Sequence, residues 1–79
     1  MTSQELHSKL QNTKSFLNRE VVRNKLNGGT LLSYHELGAR LDMIHEAERI
    51  GVRNLGENEN RKLTRMINQL EEMHNVSLN

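Results

Sequence analysis

The sequence contains no cysteine, and no apolar run approaches the roughly 20 residues of a membrane-spanning helix. Without cysteine the chain cannot form a disulfide framework, a zinc–thiolate site or a cysteine nucleophile, and it suits a reducing compartment. The first residues, 1–5, are polar and acidic, whereas a secretory signal peptide has a basic stretch that leads into an apolar one. We therefore expect a cytoplasmic protein with no membrane partner.

Proline is also absent, and the aromatic residues are reduced to Phe16 and Tyr34. Because proline interrupts helices, a chain without it is typical of helices joined by short connections. The turn signals therefore come from five glycines, and four of them fall at two places in the sequence: Gly28, Gly29, Gly51 and Gly56. These two places divide the chain into three segments.

The sequence also has no large excess of positive or negative charge. The chain of 79 residues carries 11 Lys and Arg against 10 Asp and Glu, which gives a formal net charge of +1. This balance excludes a strongly basic nucleic-acid tail, and the length excludes a multidomain enzyme. We predict a single helical domain over residues 1–79.

The first segment predicts a long helix over about residues 3–26. Thr2 and Glu5 form the pattern of a capping box at its start. Apolar residues then recur at steps of four and seven, which places them on one helical face: Leu6, Leu10, Leu17 and Val21.

The second segment repeats this logic and predicts a helix over about residues 34–50. Ser33 and Glu36 form the pattern of a second capping box, and Gly51 is expected to end the helix. Leu41 and Leu70 are predicted core residues, one in this helix and one in the next.

The third segment predicts a helix over about residues 58–75, with Asn58 as its N-cap. Residues 76–79 are expected to fray as a C-terminal tail. No strand pattern competes with these helices, so the sequence predicts an all-α fold, a small three-helix bundle.

The predicted core is small for the size of the chain. A protein this short buries about 60–65% of its unfolded surface. We therefore expect either a loosely packed monomer or a bundle completed by a second copy or a partner. The apolar stripe of helix 3 is the predicted docking surface, and its members are Leu63, Met66, Ile67, Leu70 and Met73.

The chemical motifs in the sequence are incomplete. Gly51 and Gly56 have the glycine spacing of a phosphate-binding loop, but Glu57 stands where such a loop has its lysine. His35 lacks the second histidine that a zinc protease carries one helical turn later, because position 39 is Ala39. We predict no catalytic, cofactor-binding or metal-binding residue, and we expect neither enzyme activity nor a small-molecule substrate.

Basic residues cluster in two places, the second half of helix 1 and the start of helix 3. Side by side, the two groups would form a patch able to contact phosphates. Alternatively, both groups pair with acidic helix 2, since residues 31–60 carry a net charge of −3. The candidate nucleic-acid contacts are Lys14, Arg19, Arg23, Lys25, Arg61, Lys62 and Arg65.

The incomplete core, the methionine-bearing stripes and the lack of a chemical site favour a binding role. We expect a small helical binding protein that docks to a larger protein and modulates its activity. The first alternative is a nucleic-acid-binding accessory module that uses the basic residues of helices 1 and 3. The second alternative is a structural homo-oligomer.

Overall fold

The computed structural model describes residues 2–79 and consists of three α-helices. α1 spans Ser3–Asn27, α2 spans Tyr34–Ile50 and α3 spans Glu57–His74, and a single 3₁₀ turn, Val52–Asn54, lies between α2 and α3. Over these described residues no strand is formed. The predicted all-α three-helix bundle is confirmed, and each predicted helix boundary lies within one residue of the observed one.

Local hydrogen bonds fix both ends of α1. The Thr2 hydroxyl accepts a hydrogen bond from the backbone N–H of Glu5 at 3.1 Å and donates one to the Glu5 carboxylate at 3.0 Å. At the other end Gly28 adopts φ 67°, a left-handed conformation that glycine reaches without steric cost. Its N–H donates to the carbonyl of Asn24 and closes the helix.

The capping box predicted at the start of α2 is confirmed. The Ser33 hydroxyl accepts from the backbone N–H of Glu36 at 3.1 Å, and the Glu36 carboxylate accepts from the backbone N–H of Ser33 at 3.0 Å. The hydrogen bond from the Ser33 backbone lowers the pKa of Glu36, because it stabilises the ionised form. At the C-terminus, Gly51 adopts φ 94° and turns the chain out of the helix.

α3 begins one residue earlier than predicted and has no side-chain cap. Gly56 occupies the N-cap position, and Asn58, the predicted cap, lies inside the first turn. The carboxylates of this first turn interact favourably with the helix dipole, which compensates in part for the missing cap. α3 ends at His74 because Asn75 adopts a left-handed φ of 54°.

The core lies where the three helices face one another. Each helix contributes fully buried leucine or isoleucine side chains: Leu6, Leu10 and Leu17 of α1, Leu37 and Ile44 of α2, and Ile67 and Leu70 of α3. Leu70 was predicted to be a core residue and is one. Leu41 is only partly buried and packs against the core from its edge, because Leu37 and Ile44 carry the inward face of α2.

Consecutive helices run antiparallel. Gln11 and Lys14, before and near the middle of α1, both bind Glu48 near the end of α2, at 2.9 and 2.8 Å. At the opposite end of the pair, the ammonium group of Lys25 lies 5.5 Å from the ring centroid of Tyr34, the first residue of α2. α2 and α3 are antiparallel too, because Ile50 lies with Glu59 at one end of their groove and Arg40 with Arg65 toward the other. α1 and α3 therefore run in the same direction, and they also contact each other directly.

The C-terminal tail differs from the frayed segment that the sequence predicts. Leu78 is buried and belongs to the core. Its backbone N–H donates to the Glu71 carboxylate at 2.8 Å, and its carbonyl accepts from the Asn12 amide at 3.1 Å. The left-handed Asn75 reverses the chain direction, and the tail returns along α1 and α3.

Candidate protein-binding surfaces

The predicted docking stripe of α3 is mostly internal. Leu63, Met66, Ile67 and Leu70 are buried within the chain, at 0–5% exposure, and only Met73 is substantially exposed. The stripe was predicted as a surface for a partner, and the structure corrects this for four of its five residues. The reason is that α1 and α2 of the same chain already cover this face of α3.

Three of the seven predicted nucleic-acid contacts are paired within the chain. Lys14 binds Glu48 at 2.8 Å, which joins α1 to α2 and lowers the pKa of Glu48. The other two pairs join residues of the same helix, Arg23 with Glu20 at 3.0 Å and Arg61 with Glu57 at 2.7 Å. Within residues 2–79 the other four form no ion pair: Arg19, Lys25, Lys62 and Arg65.

The two basic groups lie at opposite ends of the bundle. The 3₁₀ turn that precedes α3 lies beside Ser3 and His7, at the start of α1, so the basic start of α3 is at this end. The basic residues 19–25 of α1 lie at the far end, where α3 terminates and α2 begins. α1 is about 37 Å long at 1.5 Å per residue. The groups therefore do not form one phosphate-binding patch.

Apolar side chains accumulate in solvent at one end of the molecule. Leu26 is 79% exposed, Leu31 66%, Val22 55% and Tyr34 53%, and all four lie where α1 passes into α2. We call this region the end surface. It also contains three of the predicted basic residues, and its members are Arg19, Val22, Arg23, Lys25, Leu26, Leu31 and Tyr34.

The sequence analysis identified the basic residues of the end surface but not its apolar ones. The signal was present, because Arg19, Val22, Arg23 and Leu26 follow one another at steps of three, one and three. This spacing places two arginines and two apolar residues on one face of α1. The face opposite, with Leu17 among its residues, packs into the core.

A buried polar cluster supports the end surface from beneath. Glu20 of α1 is 5% exposed, accepts from the Arg23 guanidinium at 3.0 Å and lies 3.7 Å from Nε2 of His74. The other ring nitrogen of His74, Nδ1, lies 2.9 Å from the carbonyl of Leu70. The Phe16 ring meets the imidazole edge to face, with centroids 4.9 Å apart. These contacts hold Arg23 and tie this part of α1 to the end of α3.

A second exposed apolar region is the groove between α2 and α3, on the side away from α1. It consists of two adjoining hollows of about 350 and 270 Å³ that share Ala39, Met43 and Lys62. Met43 and Ile50 remain more than a third exposed in it. We call it the α2–α3 groove, and its apolar floor is formed by Met43, Ala47, Ile50, Leu55, Leu63 and Met66.

Over the part of the chain that the structure describes, no group of three or more His, Cys, Asp or Glu side chains is arranged to hold a metal ion. None of the helices formed by residues 2–79 has the length and apolar character needed to cross a membrane. Within residues 2–79, the end surface and the α2–α3 groove are the two exposed apolar regions that we interpret below. Comparison with protein families, with curated proteins and with solved structures finds no match for this chain.

Proposed function

We propose that this chain is a small helical binding protein that docks to a larger protein through its end surface and modulates the activity of that partner. A single observation carries the proposal: within residues 2–79, the four most exposed large apolar side chains all fall between positions 22 and 34, where α1 passes into α2, and three basic residues lie in the same part of the chain. Soluble proteins expose single apolar residues routinely, but a cluster of them marks an interaction site.

The composition of the end surface supports a protein partner. Interfaces between proteins are enriched in tyrosine and arginine, and their strongest contacts lie at buried aromatic and arginine anchors surrounded by apolar area. Tyr34, Arg19 and Arg23 supply such anchors, and Leu26 supplies apolar area. The complementary surface on the partner would be an apolar depression bordered by Asp or Glu side chains.

The nucleic-acid alternative has less support. Arg19, Arg23 and Lys25 lie at the opposite end of the bundle from the start of α3. Lys14, Arg23 and Arg61 are already paired with carboxylates. A phosphate backbone would also leave Leu26 and Val22 in water without a partner. That the chain has no enzyme activity stays a prediction, and a docking role does not require it.

Pre-organisation of the surface favours tight binding. Arg23 is held by Glu20, and Lys25 lies over the Tyr34 ring, so these side chains lose little conformational freedom when a partner binds. The cap at Gly28 and the hydrogen bond from Asn24 to Thr30, at 2.7 Å, hold the connection between α1 and α2 in one shape.

The test is a quantitative affinity capture from lysate with three forms of the protein: wild type, Leu26→Asp and Arg53→Glu. Leu26 is the most exposed apolar residue of the end surface, whereas Arg53 is an exposed residue of the 3₁₀ turn at the opposite end. Each capture is repeated after nuclease treatment. Circular dichroism verifies that the variants remain folded, which is expected because both side chains are in solvent.

The proposal predicts a protein that survives nuclease treatment, is depleted at least tenfold by Leu26→Asp and is retained by Arg53→Glu. A purified partner should then bind with the same dependence on Leu26, and its activity should change on binding. Equal capture by all three forms would exclude the end surface as the docking site. Loss of the captured material after nuclease treatment would support the nucleic-acid alternative.

A further inference from the structure

The rims of the α2–α3 groove carry opposite charges at its two ends. Where the end of α2 meets the start of α3, the rim carries the carboxylates of Asp42, Glu46 and Glu59, with Lys62 at its border with the other half. Where the first half of α2 meets the second half of α3, the rim carries Arg40 and Arg65 and no carboxylate. The apolar floor thus runs along the whole groove, and one half of the groove has an acidic rim while the other half has a basic rim.

Four of these charges are spaced symmetrically along the two helices, and the fifth, Asp42, lies next to Met43 near the middle. On α2, Arg40 and Glu46 lie three residues to either side of Met43. On α3, Arg65 and Glu59 lie three residues to either side of Lys62. Ala39, Met43 and Lys62 line both hollows, and we take Met43 and Lys62 as the middle of the groove because the charges are symmetric about them. The pattern is self-complementary: a rotation of 180° about a line that crosses both helices at this middle places each acidic position on a basic one.

Two-fold symmetry allows two ways to place one groove on another. If the axis runs parallel to the helices, α2 packs on α3 of the second copy, and acidic half faces acidic half. If the axis runs across the helices, α2 packs on α2 and α3 on α3, both antiparallel, and each acidic half faces a basic half. Electrostatics therefore selects the second arrangement, since like charges placed opposite each other are unfavourable.

We propose that the α2–α3 groove is an interface between two copies of this chain, related by a two-fold axis that crosses the helices at Met43 and Lys62. Glu59 then faces Arg65 of the second copy, and Glu46 faces Arg40 of the second copy. Each contact occurs twice in the dimer. The four helices at the interface form a bundle in which every neighbouring pair is antiparallel, as in up-down bundles.

The intramolecular contacts of these side chains are compatible with the interface. Within residues 2–79, Glu59 and Arg65 form no ion pair and remain exposed, so both are free to pair between copies. Arg40 donates to the backbone carbonyl of Glu36, at 3.0 Å, and within residues 2–79 it forms no ion pair. Glu46 is bound by Arg49, whose guanidinium lowers the pKa of Glu46, and it stays ionised for an intermolecular contact.

The apolar floor supplies the remaining attraction. Met43 and Ile50 are partly in water in one copy, and the dimer removes them from it. Methionine adapts its shape to a facing surface, which suits Met43 to a position beside the symmetry axis. Lys62 also lies at the axis and meets its own counterpart, so it opposes association unless its long side chain extends toward Asp42.

The decisive experiment uses two charge reversals, Glu59→Arg and Arg65→Glu, and measures mass by sedimentation equilibrium over about 1 µM to 1 mM. Wild type is expected to be dimeric at the upper end of this range. Each variant alone brings like charges together at two contacts, so its dimer dissociation constant should rise at least tenfold. Circular dichroism verifies that both remain folded, since both positions are exposed.

An equimolar mixture of the two variants distinguishes this interface from others. In a heterodimer one contact has the native pair Glu59 and Arg65, and the other has the same pair with its charges exchanged. The mixture is therefore expected to dimerise with nearly the wild-type dissociation constant, although neither component does so alone. Arg53→Glu serves as the control, because Arg53 lies outside the groove and its reversal should leave the dimer unchanged.

A third variant tests the position of the axis. Lys62→Met removes the like charges that meet there and adds apolar area, so it should lower the dissociation constant severalfold. A monomeric wild type throughout the concentration range overturns the proposal, and so does a mixture that stays monomeric. A different oligomer, unaffected by either reversal, would place self-association on another surface. The result is independent of the proposed partner docking, which uses the end surface and none of these residues.

Discussion

Leu70 and Met73 belong to the same apolar stripe of α3, and their substitution by alanine measures which side of that helix forms the core. Leu70 is 1% exposed and Met73 is 46% exposed. Replacing a buried leucine by alanine removes its packing and leaves a cavity, at a cost of about 2–5 kcal/mol. Met73 keeps nearly half of its surface in water, so its replacement should cost about 1 kcal/mol or less.

The size of the protein makes this difference easy to measure. At about 0.05–0.15 kcal/mol per residue, a chain of 79 residues has an unfolding free energy of about 4–12 kcal/mol. Leu70→Ala therefore removes a large share of the total. Because 1 kcal/mol shifts the Tm of a domain this small by about 4–8 °C, we expect Leu70→Ala to lower the Tm by at least about 8 °C.

The assay is thermal and urea unfolding followed by far-UV circular dichroism, with Leu41→Ala as a third variant. Leu41 is partly buried, so its cost should lie between the other two. Equal effects of Leu70→Ala and Met73→Ala would refute the assignment of the buried face of α3. A Tm for Leu70→Ala within a few degrees of wild type would do so as well.

Three further predictions concern contacts that the fold depends on. Hydrogen bonds from Lys14 and Gln11 lower the pKa of Glu48 below its ordinary value near 4.5. The stabilisation they give is present above that pH and is lost as the pH falls through the lowered pKa. The free energy of urea unfolding should therefore decrease less for Glu48→Gln than for wild type on acidification below about pH 5. Leu78→Ala should cost about 2–3 kcal/mol in urea unfolding, and the Leu78 amide should be protected from hydrogen exchange, because the tail is docked. Gly28→Ala should cost about 1 kcal/mol because φ is 67°, whereas Gly29→Ala, the matched control without a positive φ, should be nearly neutral.

Each of these three expectations has a result that would contradict it. Identical acid dependence in wild type and Glu48→Gln would mean that the bridge between α1 and α2 contributes nothing. Fast exchange at Leu78 with unchanged stability would restore the frayed tail that the sequence predicts. Equal costs at Gly28 and Gly29 would remove the argument from backbone conformation.

Helix boundaries were predictable because their signals are local. The Ser33 capping box involves residues three apart, and Gly28 and Gly51 end their helices by conformations that are difficult for other residues. Such signals are read without knowledge of the tertiary structure. Asn58 was wrongly predicted as the N-cap of α3 because the actual N-cap, Gly56, has no side chain that could form a capping hydrogen bond and so gives no signal in the sequence.

The surfaces were less predictable, because periodicity shows which residues of a helix are apolar but not what covers them. The α3 stripe has the same spacing whether it packs on α1 and α2 or on a partner. Charge clusters have the same ambiguity, since sequence distance does not show that Arg19 and Arg61 lie at opposite ends. Glu20 and His74 are 54 positions apart in the sequence, and no local pattern connects them.

The two surfaces of the protein are compatible with each other in space. An axis that crosses the helices turns the second copy end over end, so the α1 helices lie on the outside of the dimer and the two end surfaces lie at its opposite ends. Neither end surface is covered by the groove interface, because Leu26 and Tyr34 lie beyond the residues that line the groove. The proposed dimer would present two identical docking sites that point in opposite directions. It could therefore connect two copies of a partner, whereas a single compact partner molecule could not contact both sites at once. In the proposed dimer, the charge pattern of α2 and α3 would therefore set the geometry in which the end surface of α1 meets a partner.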